Sequence, residues 1–451
     1  MPFSFLVSCY LFALKKAIQF LSENTVALLL LVSAWTMLNL HGGKTSFRNT
    51  ILADGKGYYA YLPAVFIYHD LNFGFFGTIE NKYYEGGTKY SYLALKNGKV
   101  IDKYFSGEAL LQAPFFIGGM ITTAFSSEPH DGYSRYYVLW FLIGALFYLW
   151  LGLKHLKLFL RMHGASEDSS SFITAVIFFG TNLMYYSTIE PSMSHLYSFS
   201  MITIFLVYGK RWIDNEDSRS FLIIAFLLGM IMAIRPVNGL IAFWLFVEAR
   251  GIAPLIRKKM RVLHHPLVYV GSGLLFFIPI SIQLTIYKIE CGSFFVNAYG
   301  NERFHFDQPN VIDFLFSYQK GLFVYLPVTF ISLFGIIPMW MNDRIRAIGT
   351  IIFLSVLIYI LSCWWQWFYG GSFGTRVLVE YLPLFALLLF HLLNGIKLKA
   401  LKTALASLLV LLTLFCQFQT LQYRYGMIHW QEMNKERYWQ VFLDTDLRRI
   451  Y

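Results

Sequence analysis

At 451 residues, 57% hydrophobic and only 14% charged, the chain is excluded from the ordinary water-soluble class, in which roughly a quarter of residues carry charge. Its mean hydropathy of +0.51 points instead to a polytopic membrane protein, each crossing of which takes about 20 mostly apolar residues. The net charge of +11 lies between apolar runs rather than on one soluble face, which argues against a nucleic-acid partner and for topology signals and anionic lipid head groups.

Lys15 and Lys16 precede the first apolar run, 25–40. That run lacks a small-residue cleavage site and is too long for a signal peptide, so it reads as a signal anchor entered from the cytoplasm. Residues 41–135 form a large outer loop, rich in Gly, Tyr and Lys, with short interfacial helices expected in it. Within it, 109–125 is long enough to cross, but the next run, 136–153, ends in Lys154, Lys157 and Arg161. Those charges favour the cytoplasm, so 109–125 is expected in the outer interface and 136–153 as the second span.

From there 172–189 goes out and 195–208 returns to Lys210 and Arg211; 221–234 goes out and 240–247 returns to Arg250, Arg257, Lys258, Lys259 and Arg261. The run 266–287 goes out to a polar loop at 288–320, and 321–339 returns to Arg344 and Arg346. The last three are 348–363 outward, 377–393 back to Lys397, Lys399 and Lys402, and 405–421 outward. The expectation is an all-α bundle of about eleven transmembrane helices, comprising residues 1–421, with a short outer tail at 422–451. No repeat and no linker divides it. The four cysteines, Cys9, Cys291, Cys363 and Cys416, have no metal-ligand spacing and imply no disulfide.

On this topology the unusual polar residues gather at the outer face: Asp54 and Lys56 in ADGKGYYAYLP, Glu190 and His195 in EPSMSH, Arg235 and Asn238 in IRPVN, Lys320 in FSYQKGLF, and Arg376 in WWQWFYGGSFGTR. Ionisable groups at membrane depth are costly and point to function. Each also has a plainer role open to it. Lys320 suits a snorkelling anchor, His195 a helix-cap histidine, Glu190 an acid at a helix start, and Trp364, Trp365 and Trp367 an interfacial belt.

The order of these features resembles the GT-C superfamily of membrane glycosyltransferases, in particular the polyprenyl-phosphate-sugar transferases of the protein mannosyltransferase and aminoarabinose transferase type. Asp54 stands where that family has an acid opening its first outer loop. YFSGEALLQAPFF at 104–116, IRPVN at 234–238, SYQKGLFVYLP at 317–327 and GGSFGTRVLVEYLP at 370–383 follow in the family's order. Many relatives carry a second acid close behind the first, whereas here Gly-Lys-Gly follows.

The style of the sequence, with no sequon-bearing lumenal loops, leads to the expectation of a multi-pass protein of the bacterial inner membrane, N-terminus cytoplasmic by Lys15 and Lys16, and the resemblance implies a site outside. The protein would move a sugar from a polyprenyl-phosphate donor to a lipid, glycan or protein acceptor among membrane lipids. Asp54 would be the general base. Arg376 is the first choice for the leaving phosphate, since a guanidinium matches phosphate oxygens bidentately; Arg235, Lys320 and Lys56 follow. Tyr58, Tyr59, Trp367, Glu190, His195 and Gly371 are the candidate substrate contacts. No cofactor is required. A divalent metal at Asp54, Glu190 and His195 is conceivable, although their spacing matches no closed site. A flippase or secondary transporter is the alternative, but such proteins more often show paired half-repeats and sites near the midplane.

Overall fold

The computed structural model describes residue 16 and residues 19–84, 92–256 and 266–446. Lys15, Cys9 and the basic cluster Arg257, Lys258, Lys259 and Arg261 lie outside the described residues.

The chain is mostly helical. Helix α1 (Thr25–His41) and the long α5 (Arg135–Met162) run antiparallel. At one end Arg135 donates to the Gly42 carbonyl (3.1 Å) and at the other Lys157 donates to the Ser22 carbonyl (2.6 Å). Between them in the chain lie α2 (Asp54–Pro63), α3 (Phe76–Tyr83), the strands β1 (Leu93–Lys96) and β2 (Lys99–Asp102), and α4 (Gly107–Ala124). The hairpin was not expected in an all-α chain. It turns on Asn97 and Gly98, both at positive φ, and pairs Leu93 with Asp102 and Lys96 with Lys99. An Asn-Gly pair is the usual occupant of such a two-residue turn.

Helix α4 lies along the first half of α5 only. Tyr148 donates to Leu111 O (2.7 Å), Gln112 to Phe141 O (3.3 Å) and Trp140 to Thr122 (2.8 Å). Its deep end is therefore its first turn, and none of these contacts reaches the basic end of α5.

The centre of the bundle is made by α7 (His195–Asn215) and α16 (Leu382–Gly395). In α16, Leu384, Phe385, Leu387, Leu388 and Leu389 are at most 1% exposed. Around them stand α6 (Glu167–Phe179), α8 (Ser218–Ile234), α9 (Trp244–Glu248), α10 (Pro266–Cys291), α11 (Val311–Phe316), α12 (Leu322–Tyr325), α13 (Pro327–Leu333), α14 (Ile336–Asn342), α15 (Arg344–Ser362), α17 (Lys399–Arg424) and α18 (Lys435–Val441). The outer faces of α10 and α17 carry Leu267, Leu274, Phe277, Leu411 and Leu414, each more than half exposed. Apolar surface of this extent suits lipid rather than water.

Among the described residues, five helical stretches are long and apolar enough to cross a membrane: α5, α10, α15, Arg376–Gly395 and α17. Thr25–His41, Ser218–Ile234, Pro236–Glu248 and Pro327–Asn342 are shorter apolar helices. The expected eleven spans do not appear as eleven full-length helices, because prolines and glycines interrupt several of them. The run 321–339 becomes α12, α13 and α14, with Pro327 opening α13 and Gly335 preceding α14. The run 172–189 stops at Phe179 before Gly180 and resumes as a wide turn, Tyr185–Ile189. The run 240–247 is a 3-10 helix, Pro236–Phe243, followed by the one-turn α9.

One end of the bundle is tied by ion pairs. Glu248 faces His163 (3.3 Å), Lys210 (3.2 Å) and Arg346 (3.1 Å), and Arg250 meets Asp343 (2.6 Å). The candidate site lies at the opposite end.

Candidate active site

Four consecutive residues opening α2 have four separate fates. Asp54 is the first helical residue, held by Ala53 in a backbone conformation (φ 47, ψ −129) that side-chain-bearing residues rarely adopt. Gly55 is glycine because a Cβ there would stand 2.2 Å from the Ser192 hydroxyl oxygen. Lys56 turns away, bonding both oxygens of Glu80 at 2.9 Å beneath the Tyr84 ring. Gly57 is glycine because a Cβ there would reach 2.3 Å from the Tyr104 ring. The two glycines let α2 press against the 190–195 turn on one side and Tyr104 on the other, and Asp54 is delivered between them.

Both oxygens of Asp54 are held. Oδ2 pairs with Arg376 Nη2 at 2.7 Å, and Oδ1 accepts from the Tyr104 hydroxyl at 2.8 Å. Tyr104 is steadied in turn by its own N–H on Asp102 Oδ1 (2.8 Å). Arg376 opens the 3-10 turn Arg376–Tyr381 that leads into α16; its Nη1 lies 3.6 Å from Met193 Sδ, and its buried Nε–H has no protein acceptor.

Behind this pair sits a second charged group. Glu380, fully buried, faces His195 Nδ1 at 3.0 Å and Arg235 Nη1 at 3.4 Å. Arg235 Nη1 also lies 3.2 Å from His195 Nδ1. Next to it, Glu190 accepts from Tyr185 (2.7 Å), and burial holds its carboxyl above the usual carboxylate range despite Arg376 nearby.

A cavity of about 790 Å³ opens over Asp54. Of the residues expected at the site, Asp54, Arg376, Arg235, Tyr58 and Gly371 line it. The others do not. Lys56 is committed to Glu80. Tyr59 is core, donating to Gly132 O at 2.5 Å. Lys320, 2% exposed, donates to the Ser372 carbonyl and props the 372–375 loop from behind. Glu190 and His195 stand behind the wall, and Trp367 is outside it, its neighbours Trp364 and Trp365 lining the space instead.

Several contributors were not singled out from the sequence, Lys103, Tyr299, Glu302 and Tyr369 among them. Tyr104 opened a quoted motif, and Glu380 lies four residues past Arg376 in another; their positions were legible, but not their partners. Trp430 and Gln431 reach the cavity from the C-terminal segment. Among the described residues no group of three or more His, Cys, Asp or Glu side chains is placed to hold a metal ion; His195 is taken by Glu380, apart from Asp54.

The class of architecture is an integral-membrane helical bundle with a carboxylate and a guanidinium joined at the floor of one polar cavity, and its fold is similar to that of a solved oligosaccharyltransferase. The chain is similar to the archaeal oligosaccharyltransferase AglB from Archaeoglobus fulgidus, solved in complex with an inhibitory peptide and a dolichol-phosphate. The TM-score is 0.50 at 12% identity, over 95% of this chain and 59% of that one. A second structure of the Archaeoglobus fulgidus oligosaccharyltransferase, in complex with Zn and sulfate, gives 0.49 at 12% identity, over 95% and 58%. The chain thus spans less than two thirds of the length of these solved chains. No protein-family model and no curated protein matches it. At this identity the likeness carries the fold, and the chemistry is argued from the chain's own residues.

Proposed function

We propose that the protein is a glycosyltransferase that moves a sugar from a polyprenyl-phosphate donor to an acceptor hydroxyl at the outer membrane face. The observation that carries the reading is the Asp54–Arg376 pair, 322 residues apart in the chain and joined at 2.7 Å on the cavity floor. Asp54 is the base. Its carboxylate takes the acceptor's proton as the acceptor oxygen bonds the sugar's anomeric carbon, and the bond from that carbon to the phosphate oxygen breaks with its electron pair leaving on the phosphate.

Charge develops on that phosphate, so fixed cations beside it lower the barrier. Arg376 and Arg235, the latter held by Glu380, line the same cavity and offer it two guanidinium groups. An arriving phosphate competes with Asp54 for Arg376. That exchange weakens the guanidinium's hold on the carboxylate and raises its basicity when the donor is in place. Tyr104 keeps the other oxygen oriented throughout. The two lysines first considered for the phosphate, Lys56 and Lys320, act in this reading as anchors of the walls.

The basic end around Glu248 supports a cytoplasmic N-terminus and an outward-facing cavity, with α4 in the outer half of the membrane. The test is to incubate purified protein with a panel of polyprenyl-phosphate sugars and membrane acceptors and to follow free polyprenyl phosphate by mass. Release above a protein-free control supports the reading; none from any donor contradicts it.

A further inference from the structure

Besides Asp54, Arg376 and Arg235, the cavity is lined by aromatic rings, among them Tyr299, Phe304, Trp364, Trp365 and Trp430. That aromatic wall is assembled from two loops and the C-terminal segment. Phe304 and Trp364 bridge as antiparallel strands do, with Trp365 N donating to Arg303 O at 2.9 Å. The C-terminal segment is anchored by Gln319 on Gln431 O (2.8 Å), by Gln419 on the Tyr438 hydroxyl (2.9 Å) and by Gln422 on Val441 O (2.6 Å). So fixed, it brings Trp430 over Gly371, where a Cβ would meet the indole at 3.3 Å. Trp365 and Trp430 stay about half exposed, at 47% and 51%.

The apolar lining is aromatic almost throughout, Val237 being its one branched aliphatic residue. An isoprenoid or acyl chain has no hydroxyls to meet the amide and charged side chains set among these rings. Flat rings interleaved with amide and carboxylate side chains suit a different ligand: a pyranose, which presents a C–H face to stack and hydroxyls around its rim. Gln366 and Gln431, next in the chain to Trp365 and Trp430, supply amides, and Glu302, paired with Lys103 at 3.3 Å, adds a charged pair to the lining. We infer that this aromatic wall is a binding subsite for a carbohydrate acceptor, completed by the C-terminal segment through Trp430. The acceptor role rests on the glycosyltransferase reading; the saccharide subsite does not.

The experiment uses full-length Asp54→Asn protein, in which turnover is slowed by a factor on the order of 10²–10⁴, in detergent micelles. Saturation-transfer NMR measures binding of neutral hexose and N-acetylhexosamine trisaccharides, of a hydrophilic octapeptide and of geranyl phosphate. The inference expects saturable binding of at least one trisaccharide, weakened roughly tenfold by Trp430→Ala or Trp365→Ala and largely kept in Trp430→Phe. Gln431→Ala and Gln366→Ala, which leave both indoles in place, should weaken it as well. Geranyl phosphate binding should be unchanged in all of these variants, which also shows that they are folded. Absence of trisaccharide binding, affinity unaffected by the tryptophan changes, displacement by the octapeptide, or a parallel loss of geranyl phosphate binding overturns it. If no sugar transfer is ever observed while tryptophan-dependent saccharide binding persists, the reaction falls and the subsite stands.

Discussion

Glu380 is the residue whose charge the buried half of the site depends on, and Glu380→Gln tests that directly. The substitution keeps shape and one acceptor oxygen but removes the negative charge facing His195 at 3.0 Å and Arg235 at 3.4 Å. Glu380 is fully buried and Arg235 18% exposed, so solvent screens the pair poorly. Removing one partner of a buried ion pair outright costs about 3–5 kcal/mol. Glutamine retains neutral hydrogen bonds, roughly half as strong as charge-assisted ones, which leaves a loss of about 2 kcal/mol. At about 2 °C per kcal/mol for a large chain, the melting temperature should fall by about 4 °C. Thermal unfolding in detergent, followed by tryptophan emission, reads this. A double-mutant cycle with Arg235→Gln separates the pair from general damage, because paired residues must be non-additive. A change under about 1 °C, or full additivity with Arg235→Gln, refutes the argument that Glu380 fixes Arg235 in the cavity wall.

Other outcomes follow from the same geometry. Arg376→Ala should lower transfer by a factor on the order of 10²–10³, and Arg376→Lys should recover only part; single-turnover kinetics checks it, and normal turnover removes Arg376 from the site. Ala53→Gly should relieve the strained φ of 47 and raise stability by about 1 kcal/mol while lowering activity as Asp54 loosens; equal or lower stability contradicts the strain. Burial, with Arg376 adding to it, pushes Lys320 down from 10.5 to about 7, so between those values the unfolded chain binds a proton that the folded one does not. Stability should therefore rise with pH from about 7 toward 10.5, and Lys320→Met should flatten that rise; melting temperatures across the window check it, and identical slopes refute it.

How far the sequence was readable depended on whether a residue's partner lay close in the chain or was dictated by the membrane. Asp54 and Arg376 stood out because charge near a span end needs a reason, and each was the sole charge of its sign in its motif. The glycines of ADGKG were visible too, though what they made room for, Ser192 and Tyr104, was not. Lys56 shows the limit: beside an acid it looked like a phosphate ligand, but Glu80, 24 residues on, claims it. The hairpin was legible in Asn97-Gly98, and was masked by a stretch too polar to suggest strands. Span boundaries were lost where hydropathy ran smoothly through Pro327 and Gly335, since apolarity survives a break that the backbone does not. The C-terminal segment gave no signal of its role, because only its docking on Tyr318 and Tyr325 carries Trp430 to the cavity.

The central claim is that Asp54 removes the acceptor's proton, and one comparison tests it most directly. Wild type and Asp54→Asn are incubated with a polyprenyl-phosphate sugar and membrane acceptors, and released polyprenyl phosphate is quantified by mass with donor binding measured in parallel. Asparagine fills the same space and still accepts a hydrogen bond, but it cannot act as the base. Release should fall by a factor on the order of 10²–10⁴ with donor binding kept or tightened, since the donor is held by its phosphate and tail and the phosphate no longer competes with a carboxylate for Arg376. Equal release by the two proteins would contradict the account.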